Sequence, residues 1–204
     1  MIHAQLYVGA LTGASTLSGD ARSLLSPTSS SFSLYDPENG PILSVVVGKH
    51  LSDYLTMQTD YVFNRNSLTI SSSNFAAGSQ TGYEEGRGSS QHSVFAEALV
   101  YVRDRKSRFR PYLSVGTGVV HLSSSEQRVS QTLGTPILPP PNFSSNAIAL
   151  RVPVGMDVNV GNGWAIRYTF SETMSKNSIS ERLSPAGQHR LKNFENLFGL
   201  VKQF

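Results

Sequence analysis

The chain has 204 residues, 39% of them hydrophobic and 15% charged, with a formal net charge of +3 and no cysteine. So small a positive balance gives no ground for nucleic-acid binding, and without thiols there is no disulfide framework, thiolate metal site or cysteine nucleophile. No stretch approaches the roughly 20 apolar residues of a spanning helix, and the mean hydropathy of −0.18 is low for a helical membrane protein.

One domain over residues 1–204 is expected, since β-barrels reach this length without dividing. Met1-Ile2-His3-Ala4-Gln5 leads straight into strand-like sequence with no signal peptide, so an exported protein would be seen here in its mature form. Gln5 to Gly13 alternates, with Leu6, Val8 and Ala10 on one side and Tyr7 and Gly9 on the other. Ser15 to Gly40, which includes the tract Pro27 to Ser31, reads as a long loop. Pro41 to Leu51 is the second strand. A turn at Ser52-Asp53 leads to the third, which sets Leu55, Met57, Thr59, Tyr61 and Phe63 against Thr56, Gln58, Asp60, Val62 and Asn64.

Ser67 to Gln91 reads as a second long loop. The fourth strand, His92 to Val102, places Phe95, Glu97, Leu99 and Tyr101 opposite Val94, Ala96, Ala98, Val100 and Val102. A basic turn from Arg103 to Arg110 reads as solvated. The fifth strand, Tyr112 to Leu122, sets Ser114, Gly116 and Gly118 on the face opposite Leu113, Val115 and Val119. Matching Leu99 with Gly116 and Tyr101 with Ser114 would give the large-small complementarity a narrow barrel needs. A third long loop, Ser123 to Asn146, holds Pro139-Pro140-Pro141.

The clearest signal runs from Ala147 to Phe170. Two alternating runs flank Gly161-Asn162-Gly163, which reads as a three-residue hairpin loop. An odd loop keeps like faces together. It pairs Val160 with Trp164, Val158 with Ile166, Met156 with Tyr168 and Val154 with Phe170, and sets Asp157 across from Arg167. Pro153 is awkward in a strand with two neighbours, because it removes a ladder hydrogen bond; a bulge, or a position above any hydrocarbon band, is expected. A fourth long loop, Glu172 to Gln188, precedes the last strand.

The polar faces carry Gly, Ala, Ser, Thr and Asn with an occasional charge, a composition suited to a closed interior. A bilayer-spanning barrel inverts the soluble order, with apolar residues toward lipid and small polar ones in the lumen. Val154, Met156, Val158, Trp164, Ile166, Tyr168 and Phe170 are then expected to face lipid. Asp60, Glu97, Arg151, Asp157, Arg167 and Glu195 are expected to form an interior polar network. Long and short connections alternate around about eight strands of roughly 9 to 11 residues, the outer-membrane layout. The expected fold is therefore all-β, a single closed up-and-down antiparallel transmembrane barrel, with both termini on the short-turn side.

The chain ends Phe198-Gly199-Leu200-Val201-Lys202-Gln203-Phe204. Gly199 and the terminal Phe204 resemble the C-terminal insertion signal of bacterial outer-membrane proteins, although Lys202 stands where an aromatic is usual. Over nearly its whole length the chain looks like the small OmpA/OmpX-type barrels. That resemblance implies an outer-membrane location, outer-membrane lipid and the barrel-assembly machinery as partners, a monomer, and a structural or surface-contact role without cofactor or catalysis.

The interior charges read as a plug, because an unpaired buried charge costs several kcal/mol and small barrels are filled by side chains. A conducting pore is the competing reading. Asp60 and Glu97 offer two acids but no implied cleft. His121-Leu122-Ser123 resembles the His-x-Ser element of lipid A deacylases, with Glu126 or Glu172 as the remote acid; shared fold does not transfer activity. His3, His50, His92 and His189 lack ligand spacing, so no metal is expected. Trp164, Tyr168, Tyr61, Tyr112 and Phe204 suit interfacial girdles. In the soluble alternative, a lipocalin-like barrel, Val154, Met156, Val158, Ile166, Tyr168 and Phe170 would instead line a ligand cavity.

Overall fold

A computed structural model describes residues 5–19, 23–24, 32–37, 39–76, 79–136, 138, 140–176, 178 and 190–204. The strands are β1 (Leu6–Gly19), β2 (Ser23–Leu24), β3 (Phe32–Pro37), β4 (Asn39–His50) and β5 (Leu55–Ala76), followed by β6 (Ser79–Tyr101), β7 (Phe109–Leu133), β8 (Asn142–Gly161), β9 (Trp164–Lys176) and β10 (Arg190–Gln203). β1 and β4 to β10 pair antiparallel in a ring that the β1–β10 and β5–β6 ladders close. At the end with the short turns, Phe204 donates its N–H to Leu6 O and His50 donates to Gln5 O. This end is called the lower one below.

The faces follow the alternation. Leu6, Val8, Val45, Val47, Met57, Val94, Val100, Leu113, Val115, Val119, Ile148 and Leu200 are all exposed on the outer wall. Val154, Trp164, Tyr168 and Phe170 join them there, with Met156, Val158 and Ile166 half-buried between neighbours on the same face. Arg167, one residue from Ile166, is 1% exposed. The soluble-barrel alternative fails on this point, since its would-be cavity lining faces outward. The lumen is less polar than its Ser and Gly content implies, because Tyr7, Leu11, Ile42, Val46, Val62, Phe95, Leu197 and Val201 form an inward apolar cluster.

The expected long loops are largely strand. β5 and β6 stay paired from Leu55↔Val100 up to Ala76↔Ser79, through the described residues of the Ser67–Gln91 stretch. β7 continues to Leu133 and β8 starts at Asn142, inside the expected Ser123–Asn146 loop. Within Ser15–Gly40, β1 runs on to Gly19, and β3 pairs with β5 from Phe32↔Ser73 to Pro37↔Leu68, above the last β4 pair at Ile42↔Asn64. Backbone pairing needs no apolar alternation where both faces are polar. These Ser- and Gly-rich strands therefore show little of themselves in side-chain pattern.

Four local expectations are corrected. Asn162 and Gly163 both take positive φ (52° and 73°), so the β8–β9 loop has two residues rather than three. This is the Asn-Gly turn whose twist suits a hairpin. A register shift between Asn159 and Gly161 restores the parity, so Trp164 pairs with Gly161 instead of Val160 while Asp157 still meets Arg167. Pro153 sits in no bulge: the β7–β8 register is the same on either side, and pairing lapses only across 114–115 and 152–153. Leu99 lies opposite Ser114, Tyr101 opposite Tyr112, and Glu97 opposite Gly116. Tyr112 is no girdle residue; its place in the β7 alternation turns it inward, 5% exposed.

Candidate functional site

Period-two alternation on β5, β6, β8, β9 and β10 sends Asp60, Glu97, Arg151, Asp157, Arg167 and Glu195 into the lumen, where each is at most 3% exposed. They form two clusters. In the upper one, Arg151 ion-pairs with Asp60, with Glu97 Oε1 at 2.8 Å and with Glu195 Oε2 at 2.6 Å. The acids are held in turn by hydroxyls: Ser44 donates to Asp60 at 2.6 Å, Ser171 to Glu195 Oε2 at 2.6 Å and Thr173 to Glu195 Oε1 at 3.1 Å.

In the lower cluster Arg167 grips Asp157 with two bonds, Nε to Oδ1 at 2.6 Å and Nη2 to Oδ2 at 2.8 Å. Tyr101 donates its hydroxyl to Asp157 Oδ2 at 2.8 Å. The guanidinium lies between the rings of Tyr7 and Tyr112, 5.2 and 5.3 Å from their centroids. Gln58 joins the clusters, accepting from Arg167 Nη1 at 3.0 Å and Tyr7 at 2.6 Å and donating to Glu97 Oε2 at 2.7 Å. Between the two guanidinia is a void of about 10 Å³, lined by Ser44, Gln58, Asp60, Glu97 and Thr169 among others. That is room for about one water. Paired, hydroxyl-saturated charges of this kind fix the positions of the strands that carry them.

Both ends of the lumen hold buried cations outside the expected set. Arg110 was expected in the solvated turn but points inward from the start of β7 and is 0% exposed. It lies 3.9 Å from the Tyr101 ring centroid and donates Nη2 to Asp53 O at 3.1 Å. Its place opposite Asp157 in the ladder is the signal that marks it as inward. The turn after β6 folds over this mouth through an Arg105–Asp53 ion pair at 3.0 Å and a bond from Asn159 Nδ2 to Ser107 O at 2.8 Å. His50, treated as one of the scattered histidines, is buried beside Thr56 with Nδ1 2.6 Å from its hydroxyl.

At the upper end Arg87 ion-pairs with Glu85 on the same strand. It also takes the carbonyls of Pro140 and Pro141 at 2.9 and 3.0 Å and Ser124 Oγ at 3.1 Å. Around it Leu17, Leu68, Ile70, Tyr83, Leu122 and Leu191 pack together with Phe143 against them. This segment stands clear of the apolar outer band, and burial pushes the Glu85 carboxyl above its ordinary range while Arg87 opposes the shift. Sequence reading missed the pair because it placed Glu85 and Arg87 in a loop. Their two-residue spacing, in step with Leu68 and Ile70 across the ladder, carries the strand signal.

The His121-x-Ser123 element lies on the outer wall. His121 Nδ1 is 2.7 Å from Asn146 Oδ1, and Glu172 is taken by Lys192 at 3.0 Å. The His121 ring nitrogen thus meets an amide oxygen, and neither proposed acid takes that place. His3 and His189 lie outside the described residues.

A closed eight-stranded antiparallel ring with an apolar outside and a charged inside defines a class: the transmembrane β-barrels of outer-membrane type. No protein-family model matches the sequence, and no functionally curated protein matches it. Solved structures do match. Neisserial surface protein A aligns with a TM-score of 0.59 at 15% identity, covering 98% of this chain and 97% of that one. The outer-membrane protein OprG of Pseudomonas aeruginosa aligns at 0.54 and 11% identity, over 98% and 96%. Ail, the attachment invasion locus protein of Yersinia pestis solved with a heparin analogue, aligns at 0.53 and 11%, over 100% of both chains. At these identities the likeness is one of fold, and the fold is that of the small outer-membrane barrels.

Proposed function

We propose that the protein is a non-enzymatic integral barrel of a bacterial outer membrane, plugged rather than conducting, which stabilises the envelope or makes surface contacts through its tall upper hairpins. One observation carries this reading: apolar side chains cover the outer wall while Arg151 and Arg167 sit fully paired inside. In this reading outer-membrane lipid surrounds the ring, the chain works as a monomer, and no cofactor is required. The last strand supplies the insertion signal for the assembly machinery. Its Gly199 lies against the backbone of Ala10 and Leu11, where a Cβ would collide, and Phe204 is exposed on the outside.

The test joins two measurements on the purified chain. Unboiled and boiled samples should migrate differently on a gel only when the chain has been folded in micelles, and planar bilayers should show no stable single-channel current. A monodisperse detergent-free monomer would overturn the membrane reading; large steady currents would overturn the plug.

A further inference from the structure

Two histidines on the outer wall meet across a ladder. His92 on β6 is directly opposite His121 on β7, and both side chains are exposed. Ligand spacing along one strand could not show this pair, because the ladder and not the chain order brings the two together. Directly opposed residues of an antiparallel pair place their Cβ atoms about 5 Å apart, a span that two imidazoles can close on one ion.

The hydrogen bonds aim the rings at the same seam. His92 Nδ1 is 2.8 Å from the Tyr61 hydroxyl on β5, and His121 Nδ1 is 2.7 Å from Asn146 Oδ1 on β8. Each ring thus turns Nδ1 away from the other. Nε2 lies on the opposite side of an imidazole from Nδ1, so both Nε2 atoms turn toward the β6–β7 seam. The amide oxygen of Asn146 only accepts, so His121 Nδ1 carries the proton and Nε2 keeps its lone pair. The Tyr61 hydroxyl can accept from His92 Nδ1 in the same way. An imidazole whose one N–H is held by an oxygen is oriented to ligate a metal through its other nitrogen.

On the same face Val94 and Val119 lie below the pair, 51% and 53% exposed, and Ser90 and Ser123 stand above it. The pair therefore sits at the top of the apolar band and at the foot of the upper extension. Among the described residues no group of three or more His, Cys, Asp and Glu gathers, so water would complete the coordination. Two imidazoles without a carboxylate suit Zn²⁺, Cu²⁺ or Ni²⁺ and not Mg²⁺ or Ca²⁺, which take oxygen ligands.

We infer that His92 and His121 form an open two-histidine site for a divalent transition-metal ion, which staples β6 to β7 where the ring gives way to the extension. The site stands on ladder register and hydrogen bonding and does not depend on the outer-membrane reading. Titration of the tag-free full chain, folded in an uncharged detergent, with Zn²⁺ alone tests it. His92→Gln and His121→Gln should each weaken binding about tenfold or more, because one imidazole loses the effective concentration of the other. His189→Gln should leave it unchanged. With Cu²⁺ the paramagnetic resonance spectrum should show two coordinated imidazole nitrogens in the wild type and one in either variant.

Equal Zn²⁺ affinity in the wild type and both single variants overturns the site, as does Mg²⁺ binding as tightly as Zn²⁺. A single-nitrogen Cu²⁺ spectrum from the wild type overturns the pairing. Both histidines are exposed, so each variant should keep heat-modifiable migration, and the wild-type spectrum decides the pairing without any variant.

Discussion

The lower ring and the upper extension of β5 to β8 are built from the same ladders but are held together differently. In the ring, Arg151 alone ties β8 to acids on β5, β6 and β10, and Arg167 ties β9 to β8 and, through Gln58, to β5. In the extension the side-chain ties include an apolar cluster, the Arg87–Glu85 pair with its hold on Pro140 and Pro141, and the Ser130 hydroxyl on Glu84. The ring should melt as one unit through its charges, and the extension should loosen locally without the ring noticing. Removing a tie from each tier tests that division.

The largest effect belongs to Arg151→Ala. It leaves Asp60, Glu97 and Glu195 buried around an empty place, a loss of about 3–5 kcal/mol. The loss should appear as a marked drop in the temperature at which heat-modifiability disappears. Arg167→Ala should cost less, because Asp157 keeps the Tyr101 hydroxyl, and it should open no conducting channel. A larger loss for Arg167→Ala would mean that the lower cluster, not the upper, holds the ring. Next comes Gly116→Ala. A Cβ there would strike Glu97 and the Ala96 carbonyl, so overpacking of about 1–3 kcal/mol is expected. An unchanged melting temperature would show that Glu97 has room to move.

The same division explains what could be read from sequence. The inner and outer assignments of Asp60, Glu97, Arg151, Asp157 and Arg167 were legible because unlike media on the two faces of a strand force strict alternation. Even the Asp157–Arg167 pairing held, because the register shift between Asn159 and Gly161 makes up for a loop one residue shorter than expected. Above Asn64 and Gln91 the outward positions are small and polar, as at Ser67, Thr69, Ser71, Gly86 and Ser90, so the inward Leu68, Ile70 and Tyr83 stood against no apolar outer face and the strands looked like loops. Arg110 was hidden for a different reason. It is the second residue of β7 and follows a turn with four other basic residues, Arg103, Arg105, Lys106 and Arg108, and only the ladder partner Asp157 reveals which way it points.

A middle-sized and local effect is expected from Arg87→Gln. It should speed amide exchange around Pro141 and Phe143 while the ring's melting changes little; a cooperative fall of the whole barrel would erase the two-tier picture. The Glu85 carboxyl adds a pH signature. Burial raises it above the unfolded value of 4.5, so the folded extension holds a proton that the unfolded one releases. Its contribution is full below about pH 4.5 and is lost as pH rises through the raised value. Exchange in the upper hairpins, corrected for intrinsic rates, should therefore quicken with rising pH over that window, and Glu85→Gln should flatten the dependence.

The smallest effect lies in the turn at the lower mouth. Asp104 Oδ1 accepts the Ser107 hydroxyl at 3.0 Å and the amides of Lys106 and Ser107 at 3.1 and 3.0 Å. The Ser107 hydroxyl bond, with the two amides behind it, holds this exposed carboxyl below its ordinary value. A depressed acid contributes above the unfolded value and loses that contribution as pH falls through the lowered one. Asp104→Ala should thus free the 106 and 107 amides to exchange and leave heat-modifiability where it was. The Arg105–Asp53 pair and the Asn159 bonds still hold the turn across the mouth. If melting fell as far as for Gly116→Ala, the turn would be a working part of the ring's cohesion, and the boundary between strongly and weakly coupled regions would have to be drawn elsewhere.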